Sequence, residues 1–337
     1  IEKKSDYYQA FYCRGLLYKK KPDDKAAIDD FTSAIKIKPS QLQSFLQRAE
    51  IYMKQGKYKP AISDYSYCII QRPDTAQYFF LRSIAFIKVN KADSALIDLN
   101  KTITLKPSSG NAYYYRGLLL DSLGKTAEAI KDLSQAIALN ISDQKIYTKR
   151  AAYYFKEGKF ELAKADYSTL INKYKADTKN NILNRALCFV SLALYDSAIT
   201  DFGKVISMQG QEPYEKPYIY RGYAYTKIKK TAGALSDYNK AISINPESAM
   251  AYEKRAYIYY DMNKSESALE DLNKSIKLKP SADAYFLRGA VIDGLKKTDK
   301  EKYKKLDPCD DLIKAADMGH KEAREKALII CPDYIGQ

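Results

Sequence analysis

The chain has 337 residues, 46% of them hydrophobic and 29% charged, a balance that buries a core and excludes wholesale disorder. No apolar run approaches the roughly 18 residues of a membrane-spanning helix, so the sequence predicts no transmembrane segment. Lys and Arg number 56 against 41 Asp and Glu, a net charge of +15 that favours an acidic protein, an anionic surface or nucleic acid without choosing among them.

Taken from the N-terminus, the chain repeats. Arg14, Arg48, Arg82, Arg116 and Arg150 recur every 34 residues, and Arg185, Arg221, Arg255 and Arg288 continue the series at intervals of 35, 36, 34 and 33. An aspartate follows sixteen residues behind each of the first eight: Asp30, Asp64, Asp98, Asp132, Asp166, Asp201, Asp237 and Asp271. The Arg-to-Asp segment is therefore rigid, and the extra residues near 172–180 and 207–217 belong to loops between units.

Within a unit the apolar spacing is helical, as in Tyr113, Gly117 and Leu120 followed by Ala129, Leu133 and Ala136, so each unit is two helices. The first helix is expected to end near Gly56, Gly124 and Gly158, and the second before Pro39, Pro73, Pro107, Pro246 and Pro280. Small residues recur one after each arginine (Gly15, Ala49, Ser83, Gly117), and Ala27, Ala61, Ala95 and Ala129 recur in the second helix, which lets the two helices approach closely.

An aromatic, a small residue four on, an aromatic three further, then Ala and a closing Pro resemble the tetratricopeptide repeat (TPR) over nearly the whole chain. That resemblance implies an all-α, right-handed superhelical solenoid of about nine helix-turn-helix units over residues 1–306. The arginines stand where the family often has Leu, and their constant offset to Asp predicts a structural pair bracing the two helices. After Arg288 the pattern decays: the lysine-rich stretch 296–305 replaces the expected start of the second helix, and Asp311-Leu312 recurs late. Residues 315–323 resemble the end of a Sel1-like hairpin, which makes 307–337 a cap for the last hydrophobic face.

No constellation for catalysis is legible, so the chain is expected not to be an enzyme and to need no cofactor or metal. The one histidine, His320, lies in the expected cap and reads as solvated; there is no glycine-rich phosphate loop and no cysteine pair with zinc spacing. Of five cysteines, Cys13, Cys68 and Cys188 read as packing thiols. Cys309 and Cys331 bracket the cap and resemble those of the closing hairpin of TPR proteins from Gram-negative envelopes, which implies a disulfide and an oxidising compartment.

By the same resemblance, a partner protein or extended peptide lies on a concave wall built from the first helices. Tyr12, Leu46, Phe80, Ile84, Tyr114, Leu118, Phe155, Tyr223, Tyr257 and Tyr260 are expected to line it. The implied function is a scaffold or adaptor, as a subunit of a periplasmic or outer-membrane-associated assembly, with the cytoplasm as the alternative place. An RNA-binding helical repeat is the rival reading. It requires basic residues among stacking aromatics, and Lys19 is the only one on the expected wall through Tyr260.

Overall fold

The structure, a computed structural model, describes residues 4–210 and 213–331, with side chains from residue 7 onward. The described residues form nineteen helices and no strand. The chain divides into two compact units, residues 1–146 and 147–337. The last six residues of the expected cap, 332–337, lie outside the described residues, as do 211 and 212 in the second inserted loop.

The first unit holds four helix pairs: α1 (Lys4–Lys20) with α2 (Asp24–Ile37), α3 (Leu42–Lys54) with α4 (Tyr58–Gln71), α5 (Ala76–Lys88) with α6 (Ala92–Leu105), and α7 (Gly110–Ser122) with α8 (Thr126–Ala138). In the second, α9 (Gln144–Lys156, its first turn in the first unit) is followed by α10 (Phe160–Asn172), α11 (Lys179–Ser191) by α12 (Tyr195–Ser207), α13 (Lys216–Lys227) by α14 (Thr231–Ile244), and α15 (Ala249–Asp261) by α16 (Ser265–Leu278). The chain ends in α17 (Ala282–Thr298), α18 (Pro308–Asp317) and α19 (Lys321–Ile330). Both expected insertions fall between helices, at 173–178 and 208–215.

Two devices set the spacing within each pair. Gly56, Gly124 and Gly158 end first helices at φ of +73°, +76° and +69°, the left-handed region where a missing Cβ removes the clash. The small slot meets the large residue that follows the aspartate: a Cβ added at Gly117 would fall 2.9 Å from Leu133 Cγ, and one at Gly222 2.8 Å from Tyr238 Cε1. Those large residues (Phe31, Tyr65, Leu99, Leu133, Tyr167, Phe202, Tyr238 and Leu272) are all buried and form the centre of each repeat.

Every ladder arginine binds its aspartate side-on. Nε and Nη2 donate to the two carboxylate oxygens at 2.6–3.0 Å, from Arg14 with Asp30 to Arg255 with Asp271. This bidentate pair is the brace that the sixteen-residue offset predicts. The sequence reading missed its third partner. Nη1 of Arg48, Arg82, Arg116 and Arg255 donates to Thr32, Ser66, Asn100 and Asn239, each two residues past the aspartate of the preceding repeat. One guanidinium thus ties three helices and fixes the stacking of one repeat on the next.

The ninth repeat is complete, though displaced. Arg288 donates to Asp311 at 2.7 Å across 23 residues, and Leu312 is fully buried against Gly289. The seven additional residues lie in the longer α17 and the turn after it. The boundary expected between 306 and 307 therefore falls between the two helices of this repeat: α18 is its second helix, and α19 packs on α18 to close the end. Cys309 and Cys331 are joined by a disulfide. His320 is not solvated. Its side chain is 16% exposed, its Nδ1 accepts from the Ala323 amide as the N-cap of α19, and its ring stacks on Phe286 at 4.3 Å. A histidine just after the left-handed Gly319 is placed where a helix needs an acceptor.

Candidate functional site

The apolar periodicity of a first helix places three side chains per two turns on the face away from its arginine. On α11 these are Leu183, Leu187 and Val190; on α13 they are Ile219, Tyr223 and Thr226. Four successive first helices of the second unit contribute to one open cavity of 340 Å³. Its walls are Phe155 of α9, Leu187, Val190 and Ser191 of α11, Ile219, Tyr220 and Tyr223 of α13, and Met250 and Lys254 of α15, with Phe160 at the start of α10. Phe155 and Phe160 meet edge to face at 5.6 Å, so the aromatic end of the cavity is rigid. Met250, 49% exposed, supplies a flexible apolar rim.

Charge is confined to the edge. Lys227 Nζ lies 5.2 Å from the centre of the Tyr223 ring, and Lys254 Nζ lies 5.6 Å from that of Tyr257 while pairing with Glu253 at 2.9 Å. Glu253 is itself buried and accepts from Ser281. The rim ammonium groups are held by aromatic faces, which leaves an apolar floor with a mildly basic border.

The other residues expected on the wall divide by burial. Tyr114 requires a correction: it is buried, its hydroxyl donates to Asp143 at 3.0 Å, and burial pushes its pKa up to about 12, so it packs the first unit and offers nothing to a partner. Tyr12 leans on Phe31 at 5.9 Å, and Leu46 packs between two core clusters. Phe80 meets Tyr115 edge-on at 5.8 Å, while Ile84 and Leu118 are half-buried. Tyr257 packs against the core of its repeat, and burial pushes its hydroxyl up to about 12. Tyr260 is 39% exposed outside the cavity lining. Of the ten, Phe155 and Tyr223 meet in one cavity. Phe160, Tyr220, Met250 and Lys254 were missed because they lie off the three-residue face that the periodicity marks.

The free thiols are graded in the same way. Cys68 and Cys188 are fully buried, and desolvation pushes both up to about 12, whereas Cys13 is exposed. A thiol of pKa near 12 is thiolate to only about one part in 10⁵ at neutral pH. Iodoacetamide should therefore label Cys13 alone in the folded, non-reduced protein, and all five cysteines after reduction in denaturant. Intact-mass spectrometry reads the count, and labelling of Cys188 in the folded protein would contradict its placement.

Comparison with known families bears on this arrangement. A family model described as TPR repeat matches residues 222–263, and one described as tetratricopeptide repeat matches residues 110–140 and 249–281. The segments 110–140 and 249–281 coincide with the pairs α7–α8 and α15–α16 and contain their Arg–Asp braces. The matched segments are tetratricopeptide repeats. Among curated proteins, this TPR chain is 30% identical over 108 residues to the peptidyl-prolyl cis-trans isomerase PASTICCINO1 of Arabidopsis thaliana, over 28% of the chain and 17% of that relative. The chain thus spans less than a fifth of the relative's length. Among solved structures, it is 20% identical to a tetratricopeptide repeat protein from Parabacteroides merdae, covering 74% of this chain and 97% of that one at a TM-score of 0.47. It is 19% identical to the C-terminal part of a TPR repeat-containing protein from Cytophaga hutchinsonii, covering 74% and 98% at 0.46. With YrrB, described as a TPR protein with an unusual peptide-binding site, identity is 20%, coverage 56% and 95%, and the TM-score 0.45.

Proposed function

We propose that this TPR protein is a binding scaffold that holds an apolar, aromatic-bearing segment of a partner protein against α9, α11, α13 and α15. The observation that carries the proposal is the 340 Å³ cavity, whose lining is apolar or aromatic except for Ser191 and Lys254. Exposed apolar surface gathered in one concavity is the usual mark of an interaction site. The polar chemistry of the chain is committed elsewhere: the arginines to their aspartates, and His320 to capping α19.

The setting we propose is a subunit of a bacterial envelope assembly. The Cys309–Cys331 bridge supports it, because such a bond persists in oxidising compartments. No helix among the described residues is long and apolar enough to cross a membrane. A nucleic-acid ligand is not favoured, since Lys254 is the one basic side chain in the lining.

Changing Leu187 to Lys and Tyr223 to Ala tests the assignment. Both are half-buried, so the folded chain should tolerate them, while the loss of an aromatic anchor and the entry of a charge should each weaken partner binding by about 2 kcal/mol or more. Recovery of co-purifying protein should fall at least about thirtyfold with either change alone. Unchanged recovery with unchanged melting would refute the site. Salt supplies the second axis: binding through the apolar floor should change little between low and high salt, whereas phosphate-driven binding falls steeply.

A further inference from the structure

The arginine ladder is interrupted at one place in the first unit. In seven of the nine repeats the residue four after the arginine is aromatic, and the guanidinium carbon lies 5.5–6.0 Å from the centre of that ring, as in Arg48 over Tyr52 and Arg82 over Phe86. In the fourth repeat the position is Leu120 (Ile292 takes it in the ninth). Arg116 keeps the ring three residues before it, Tyr113 at 5.5 Å, and has none four residues on. Beside it opens a cavity of 540 Å³ whose wall includes Leu96, Asn100, Tyr113, Arg116, Leu120 and Lys125.

We infer that this cavity is a socket for an aromatic side chain of a partner protein, which stacks on Arg116 where the repeat omits its own ring. Three of the five N–H groups of the guanidinium are engaged: Nε and Nη2 donate to Asp132, and Nη1 donates to Asn100 at 2.7 Å, which holds the plane in place. Toward the place where other repeats put a ring, what the fixed cation offers is its face. A guanidinium held flat and partly desolvated presents its face to a π system. Leu96, Leu120 and the Tyr113 ring supply apolar walls around it. Lys125, Glu128 and Lys131 also line the cavity and are all exposed, which suits the backbone and polar flanks of a chain entering from solvent.

The socket is separate from the groove proposed above and does not depend on it. On α7 the socket residues Tyr113, Arg116 and Leu120 project from the side opposite the face carrying Leu118.

The chain contains no tryptophan, so a tryptophan in a ligand is a selective reporter. The probe is N-acetyl-Gly-Trp-Gly-amide, with the Ala counterpart as control, titrated into the full chain and followed by tryptophan emission. The expected result is a blue-shifted, saturable signal with the Trp peptide. It should weaken at least about tenfold in Leu120→Phe, where the repeat's usual ring fills the socket, and stay unchanged in Lys240→Ala, an exposed position of α14. Methyl resonances of Leu96 and Leu120 in the unaltered protein give a reading that does not depend on how the variant folds. They should shift by ring current with the Trp peptide and not with the Ala peptide. Absence of those shifts, or equal binding by Leu120→Phe, would each overturn the assignment.

Discussion

Asp201→Ala should cost about 3–5 kcal/mol, because it leaves the Arg185 guanidinium buried without its counter-charge. This pair is the most enclosed of the ladder, with side-chain exposures of 11% for Arg185 and 4% for Asp201, and both carboxylate oxygens are engaged at 2.7 and 2.9 Å. Replacing both partners with apolar residues, Arg185→Met with Asp201→Leu, should recover most of the loss, since desolvation then disappears along with the attraction. Repeat arrays lose stability by neighbouring units, so the effect is best read as faster amide exchange in α11 and α12 together with a lower unfolding midpoint. A change below about 0.5 kcal/mol for Asp201→Ala would mean that the arginines do not serve as braces.

The second large effect is expected at the other end of the fold. Breaking the Cys309–Cys331 bond with Cys331→Ser removes a crosslink between residues 22 apart, which stabilises the closed end by about 3 kcal/mol through the unfolded chain. Leu312, Ala315, Ala323, Ala327 and Cys331 form the small cluster that α19 shares with α18, with Tyr285 and Phe286 against it. Four of those five are fully buried, but three are alanines, so apolar burial alone holds α19 weakly. Amide exchange in α19 should accelerate markedly in Cys331→Ser while α11 to α14 stay unchanged. Unaltered protection in α19 would show that packing, not the bond, retains the helix.

What the sequence discloses is what repeats. Helix pairs, the Arg–Asp brace and the small slot each recur about every 34 residues, and nine weak signals at one spacing make a strong one. Features that depend on a single departure stay hidden. The ninth repeat is legible only in pieces: Arg288, Gly289 and a late Asp311-Leu312 stand in the sequence, but a distance of 23 residues and not 16 hides that Asp311 braces Arg288 and that Leu312 packs on Gly289. The third partner of Arg48, Arg82, Arg116, Arg255 and Arg288 was within reach as a small polar series, Thr32, Ser66, Asn100, Asn239 and Asn273, but the contact joins one repeat to the next, and a reading unit by unit passes over it. Tyr114 shows the opposite failure. Its slot is right for a groove residue, yet Asp143 in the following loop accepts its hydroxyl, a pairing no periodicity encodes.

The proposed groove puts a partner segment on the first helices of the second unit. A photo-crosslinking residue placed at Ser191 tests it most directly, because Ser191 is exposed at the mouth of the cavity and contributes no packing that the fold needs. Irradiation in native extract should give one discrete protein adduct that persists at high salt and disappears when Leu187→Lys and Tyr223→Ala are added. The same residue placed at the exposed Lys240 of α14 should give none. An adduct at Lys240 with none at Ser191 would put the partner on the second helices and contradict the account.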